Sequence, residues 1–357
     1  MKKIVYPLIL ALVILAFAGC STVDKGVAGQ GAKGKIVIYT SMYEYVIQAV
    51  KQELQNKFPQ YSVDFVYGGT GNIQARIASE QASGGKLGCD MLMVAEPGYS
   101  LELKAKGVLQ AYKSPEAPNL AFDYDQDGYW YPVRVSNMVL AYNPDRFSKD
   151  SLPNSFHDFA NDPSVKDAIS MRNPLTSGTA LATITALRDK YGYDYFDALS
   201  RQNVQIEYDS DTPIRKLQNG DYKEIMILEE SILRARQQGS TLAVIYPTDG
   251  TVMIPSTIMI INGKLSANNN VAAAEKITDW FLSEDGQNAI VNGWMHSVRT
   301  NFPKIPYDSK PTDEIRANSI TVNWDHYFNQ RQEILDKFQD YLANRPADQT
   351  QTGGSSN

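Results

Sequence analysis

Two long β-rich segments, 129–147 ("YWYPVRVSNMVLAYNPDRF") and 251–263 ("TVMIPSTIMIING"), interrupt an otherwise regular alternation of short apolar runs and amphipathic stretches. This pattern constrains the fold more than any other feature. From Lys35 the runs "KIVIYT", "YSVDFVY" and "CDMLMVA" read as strands, separated by the helical stretches "YEYVIQAVKQELQNKF" and "GNIQARIASEQA" and followed by "SLELKAKG". In the first helical stretch the apolar positions Tyr45, Val46, Ala49, Val50, Leu54 and Phe58 suit one face of a helix. After the first β-rich segment the alternation resumes with the strand candidates "VKDAISM", "VQIEY", "KEIMIL" and "TLAVIYP". Helical stretches lie between them, "GTALATITALRDKYG", "PIRKLQNG" and "ESILRARQQG", and 268–293 and 320–345 read as helical near the end.

Repeated βα units predict parallel sheet with helices on both faces. Two such blocks joined by two extended crossings predict an α/β protein of two doubly wound lobes with a two-segment hinge. The expected boundaries are 35–137 plus 256–300 for lobe 1 and 138–255 plus 301–345 for lobe 2, with a disordered tail at 346–357. A chain of 357 residues accommodates this arrangement. Lobes facing each other across a hinge form a closing cleft, and ligands of open α/β sheets sit beyond the carboxyl ends of the strands. The net charge of −6 argues against a nucleic-acid partner.

The first residues have another character. Lys2 and Lys3 precede the apolar run Ile4–Phe17, and Ala18, Gly19 and Cys20 follow. This is the layout of a signal peptide over 1–19. A cysteine directly after a small pair resembles a bacterial lipobox, which implies lipidation of Cys20 and a flexible tether over 20–34. Cys89 is then left without a disulfide partner. The tether contains "GQGAKG" (29–34), which has the form of a dinucleotide fingerprint, but it precedes the first strand instead of following one, so both that motif and the P-loop are rejected.

Three strand–turn–helix junctions carry small and hydroxyl residues. Thr40 and Ser41 follow the first strand. Gly69, Thr70 and Gly71 follow the second. Thr176, Ser177, Gly178 and Thr179 precede the helix of the second block. Unsatisfied N–H groups and the helix dipole make such junctions anion cradles, and glycine lets an oxyanion approach the backbone. Plain helix capping explains each hydroxyl equally well when taken singly. Arg134 in the first crossing is a candidate guanidinium fork for an oxyanion, with Arg172 a secondary candidate. Glu229 and Glu230 follow the strand "KEIMIL" and face the same cleft, Glu229 taken ahead of Glu230, with Glu96 as a lesser candidate.

Four stretches, "KIVIYTSMYEY", "YGGTGNIQARIASE" with "CDMLMVAEPGYSLELKAKGVL", "YPVRVSNMVLAYNPD" and "VIYPTDGTVMIPSTIMII", resemble the bacterial extracellular solute-binding proteins of ABC importers. Within that family the resemblance is to the branch for ferric iron, phosphonates or sugar phosphates. It implies a monomeric two-lobed binding protein of the type II periplasmic architecture, without catalysis or cofactor. It further implies a location in the periplasm or at the cell surface, anchored to a bacterial membrane by lipid, and delivery of a small anionic solute to a membrane permease. The ferric branch uses adjacent tyrosines. Here the nearest arrangements are Tyr129–Trp130–Tyr131 and "YGYDY" (191–195), so iron is the alternative solute and no metal site is assigned. His157, His296 and His326 have no neighbours at metal-ligand spacing. A surface-anchored hydrolase built on Glu229 and Glu230 is the remote alternative. Adjacent helical carboxylates point about 100° apart, a poor geometry for flanking one bond.

Overall fold

The computed structural model describes residues 34–344. The signal peptide, Cys20, most of the tether and the tail at 346–357 lie outside them. Gly34, expected at the end of the tether, already belongs to the first strand.

The first block runs β1 (Gly34–Thr40), α1 (Glu44–Lys57), β2 (Tyr61–Tyr67), α2 (Thr70–Ala82), β3 (Met91–Val94) and α3 (Gly98–Ala105). The first crossing is β4 (Tyr131–Tyr142). The second block runs α4 (Phe156–Asn161), β5 (Ile169–Arg172), α5 (Gly178–Tyr191), α6 (Asp194–Arg201), β6 (Gln205–Glu207), α7 (Asp211–Asn219), β7 (Glu224–Leu228), α8 (Glu229–Gln237) and β8 (Ala243–Ile245). The return crossing is β9 (Thr251–Ile260), followed by α9 (Val271–Leu282), α10 (Glu284–Asn292), α11 (Thr312–Ala317), β10 (Ser319–Ile320) and α12 (Trp324–Ala343). The helices α4, α6 and α11 are additions to the sequence reading. The helical run over 268–293 divides at Ser283, whose side chain accepts from the Gly286 N–H and caps the second piece.

Both blocks are doubly wound, and alternation along single strands shows why. In β1, Ile36 and Ile38 join the apolar cluster under α1, α9 and α10, whereas Val37 and Tyr39 join the one containing Ile73 and Ile77 of α2 and Leu103 of α3. In β7, Met226 and Leu228 face one cluster and Ile225 and Ile227 another. A strand whose successive side chains are all apolar needs cover on both sides. The helices meet that need with narrow stripes, as in α1, where Val46, Ile47, Val50 and Leu54 are buried.

The hinge fuses the two blocks into one sheet with strand order β2-β1-β3-β9-β4-β7-β5-β6. The strands β1, β2 and β3 are parallel, as are β5, β6 and β7. The crossing strands β4 and β9 run antiparallel to each other, from Tyr131 opposite Ile258 to Met138 opposite Val252. The register shifts between Pro132 and Arg134. A bulge of this kind re-aims the side chains beside it, and the residue next to this one is Arg134.

Gln287 on α10 fixes the same stretch. Its Nε2 donates to the Val133 and Phe281 carbonyls at 2.8 Å each, and its Oε1 accepts from Ser297 Oγ and the Val298 N–H. Gln287→Leu leaves these buried groups without partners. It is expected to destabilise the protein by about 3 kcal/mol or more, read as a lower midpoint in urea unfolding with unchanged slope.

Candidate functional site

Beyond the carboxyl ends of β1, β2, β5 and β6 the two lobes enclose a cleft with two connected chambers. The outer one has a volume of about 830 Å³ and the inner one about 40 Å³. They share Tyr43, Tyr67, Gly69, Arg172, Thr176 and Ser210. Eight of the twelve sequence candidates line the inner chamber: Ser41, Gly69, Thr70, Arg134, Thr176, Ser177, Gly178 and Thr179. They come from both lobes, as the junction argument requires. The N-termini of α2 and α5 converge here, bringing the positive ends of helices of 13 and 14 residues to one small space.

The remaining candidates are placed otherwise. The Thr40 hydroxyl is turned back to accept from the Met42 N–H at 3.0 Å, and the Ser41 N–H is taken by the Met93 carbonyl, so Ser41 offers its hydroxyl alone. Gly71 lies against the opposite lobe. Glu229, expected at the cleft, is buried within the hinge: its carboxylate accepts from Asn137 Nδ2, Tyr246 OH, Ser309 Oγ and His296 Nε2. Burial pushes its acidity down in strength, but the His296 contact and the two hydroxyls more than offset this and hold its pKa below the usual carboxylate range. Glu230 is also buried and accepts from Ser136 Oγ at 2.8 Å; desolvation raises its pKa to about 6 against the pull of Ser136 and Arg134. Tyr129 and Tyr131 stand away from the cleft. Lys104 covers the Tyr129 ring, and Tyr131 OH donates to the Tyr112 carbonyl. His157 and His326 pair with neighbouring aspartates at half-exposed positions.

The glycines serve a purpose the sequence reading did not give them. A Cβ on Gly69 would sit 2.4 Å from the Thr176 carbonyl oxygen, and one on Gly71 would sit 2.4 Å from that of Leu175. A Cβ on Gly178 would reach within 2.7 Å of the Ala95 carbonyl oxygen. These are contacts between lobes, and the structure is a closed one.

Arg134 is the chemical centre of the inner chamber. It is 2% exposed. Its Nη1 meets only the Met295 thioether, its Nη2 reaches Ser41 Oγ at 3.4 Å, and its Nε has no partner among the described residues. Desolvation lowers its pKa, opposed by the charge of Glu230. A buried guanidinium with such weak partners is under-satisfied. Arg172 lines both chambers, and no carboxylate lines the inner one among the described residues.

The outer chamber is different in kind. Tyr43 stacks on Tyr45 with ring centroids 5.4 Å apart, Arg234 lies over Tyr45, and Glu44, Asp209 and Asp211 bring carboxylates to the lining. Sequence reasoning passed over Tyr43, Tyr67, Ser136 and Ser210. The signal was there for three of them: Tyr43, Tyr67 and Ser210 occupy the strand–helix junctions that selected the hydroxyl residues, and Ser136 shares a strand with Arg134.

The chain belongs to the bacterial extracellular solute-binding proteins, whose family pattern it matches over residues 89–330. A probable ABC transporter periplasmic-binding protein of Sinorhizobium fredii is 24% identical over 284 residues, 75% of each chain. Among solved structures, the fold is similar to the periplasmic binding protein AfuA of Actinobacillus pleuropneumoniae with fructose-6-phosphate bound, at a TM-score of 0.76 and 21% identity, covering 87% of this chain and 99% of that one. It is also similar to iron-bound HitA of Pseudomonas aeruginosa, at 0.74 and 20%, covering 86% and 99%.

Two substitutions separate hinge from site. Glu229→Gln removes the charge on which four donors converge and is expected to cost about 2 kcal/mol of stability, seen as a lower melting temperature. Gly71→Ala is expected to weaken solute binding, because its methyl group obstructs closure; titration calorimetry reads the loss.

Proposed function

We propose that the protein is the solute-capturing component of an ABC importer and that its solute ends in a phosphate or phosphonate group. Arg134 carries this reading. Its buried and nearly partnerless guanidinium stands at the head of a chamber lined by hydroxyls, two helix N-termini and Arg172, with no carboxylate. A dianionic head group would supply the acceptors that the Arg134 fork lacks. The disparity between the chambers, about 40 Å³ inside and about 830 Å³ outside, favours an organic phosphate or phosphonate over the inorganic ion. Solute capture would then be closure: each lobe supplies one helix N-terminus, and only the closed form brings both to the same anion. The lipobox-like sequence at Cys20 supports attachment of the mature chain to a membrane beside its permease.

Ferric iron is the second reading, supported by the phenols of Tyr43, Tyr67 and Tyr208 and the carboxylates of Glu44, Asp209 and Asp211 in the outer chamber. Burial pushes the Tyr43 phenol up, which works against the phenolate that Fe(III) prefers.

A thermal-shift screen of phosphate esters, phosphonates, inorganic phosphate and Fe(III) decides between them. A phosphorylated solute at about a hundred times its Kd adds about 2.7 kcal/mol to stability, a rise of several degrees. Arg134→Met should abolish that rise and Thr70→Val should reduce it. No rise with any phosphorylated or phosphonate compound, together with a visible charge-transfer band on adding Fe(III), overturns the first reading in favour of the second.

A further inference from the structure

The seam between α3 and α12 gathers buried polar atoms that the cleft does not use. Glu96 directly follows Ala95, which lines the inner chamber. It is 0% exposed, and its backbone φ is 118°, a conformation in which a side chain other than glycine is strained. Its Oε2 accepts from the Tyr99 N–H at 3.1 Å, while Oε1 has no partner among the described residues. From α12 come Tyr327, 1% exposed with its hydroxyl beside Glu96 and Arg331, and Arg331, whose Nε is unpartnered among the described residues while Nη2 donates to Gln74 of α2 at 2.6 Å. The packing is close: a Cβ on Gly98 would lie 2.3 Å from the Tyr327 ring and 2.9 Å from Glu96 Oε2. Tyr327 also belongs, with Ile334, Leu335 and Phe338, to the apolar core of the second lobe. The seam therefore joins the lobes and is sealed when they are closed.

We propose that Glu96, Tyr327 and Arg331 form a proton-linked latch: the closed protein holds the Glu96 carboxyl protonated against α12, and opening the lobes hydrates the group and releases its proton. A neutral carboxyl is the form that a dry seam accepts. Protonated, the carboxyl also becomes an O–H donor. Burial pushes Glu96 up to about 8, against the Tyr99 N–H, the charge of Arg331 and the Tyr327 hydroxyl. The groups facing it are Tyr327 and Arg331 from α12 and Tyr99 from α3, with Glu102 of α3 acting on Tyr99. Gln74 on α2 is neutral.

The sign follows from linkage. The closed form holds a proton that the open form, with a hydrated carboxyl near about 4.3, has lost. Closure is therefore favoured in acid. The closed-to-open ratio falls about tenfold per pH unit up to about pH 8, where both forms are ionised. Affinity for any solute that closes the cleft follows the closed fraction.

The latch rests on closure and not on which solute fills the cleft, so it is tested without one. Small-angle scattering of the full chain from about pH 5 to about pH 8 reads the equilibrium as a radius of gyration, over a range that changes the ratio roughly a thousandfold. The wild type is expected to expand as pH rises. Glu96→Gln, which keeps the shape and cannot ionise, is expected to stay compact throughout. Arg331→Gln removes the cation that favours the ionised carboxyl in the closed form; it is expected to leave the curve below about pH 8 unchanged and, measured on to about pH 10, to let the closed-to-open ratio keep falling where the wild type levels off. A wild-type radius that does not change with pH overturns the proposal. A closed-to-open ratio that levels off at the same pH in the wild type and in Arg331→Gln overturns it independently of how well Glu96→Gln folds.

Discussion

The antiparallel pairing of β4 with β9 is the contact on which the rest of this protein depends. Each crossing strand serves both halves. The C-terminal part of β9 pairs with β3, the C-terminal part of β4 pairs with β7, and the remaining parts of the two strands pair with each other. Ten strands thus share one continuous ladder of backbone hydrogen bonds, while the apolar clusters on either side remain distinct. Bending concentrates where only two strands connect the halves. The bulge at Pro132–Arg134 lies in that connection, and so the hinge is also where the buried arginine of the inner chamber is aimed.

Holding a guanidinium out of water with a thioether and a distant hydroxyl is unfavourable on its own. The fold tolerates it because Gln287 pins the backbone of β4 at Val133 and because Glu230, itself weakened as an acid by burial, lies within electrostatic reach. Glu229, one residue earlier, plays the opposite part: its charge is fully matched by four donors drawn from four separate segments. Two adjacent carboxylates therefore have different work, one completing the hinge and one moderating the site.

The architecture was legible in the sequence because both of its determinants are periodic. Strands covered on both faces show as unbroken apolar runs, and the two crossings show as β-rich segments too long for one sheet edge. The short helices α4, α6 and α11 were not legible, since six to eight residues give too few turns for a stripe to emerge. At the site, the strand–turn–helix rule picked out hydroxyl residues that line the inner chamber, and the first crossing picked out Arg134, which lines it too. The rule failed for Glu229, because position after a strand does not reveal that His296 and Ser309 arrive from far along the chain and that Tyr246 joins them. It did not reach a second role of the glycines: a missing Cβ is also needed where backbone meets backbone, and only the closed arrangement shows that Thr176 and Leu175 are what Gly69 and Gly71 meet.

The position of β9 has a consequence for the order of folding. This strand, at 251–260, lies between β3 and β4, whose residues precede it by more than a hundred positions. Until it is in place, β3 presents an open edge and β4 lacks its principal neighbour. Loop closure over such sequence separations is slow compared with helix formation. The carboxylate of Glu229 likewise waits for His296 and Ser309. The first lobe cannot be completed by the first third of the chain alone, so cooperative assembly is deferred until most of the polypeptide is available.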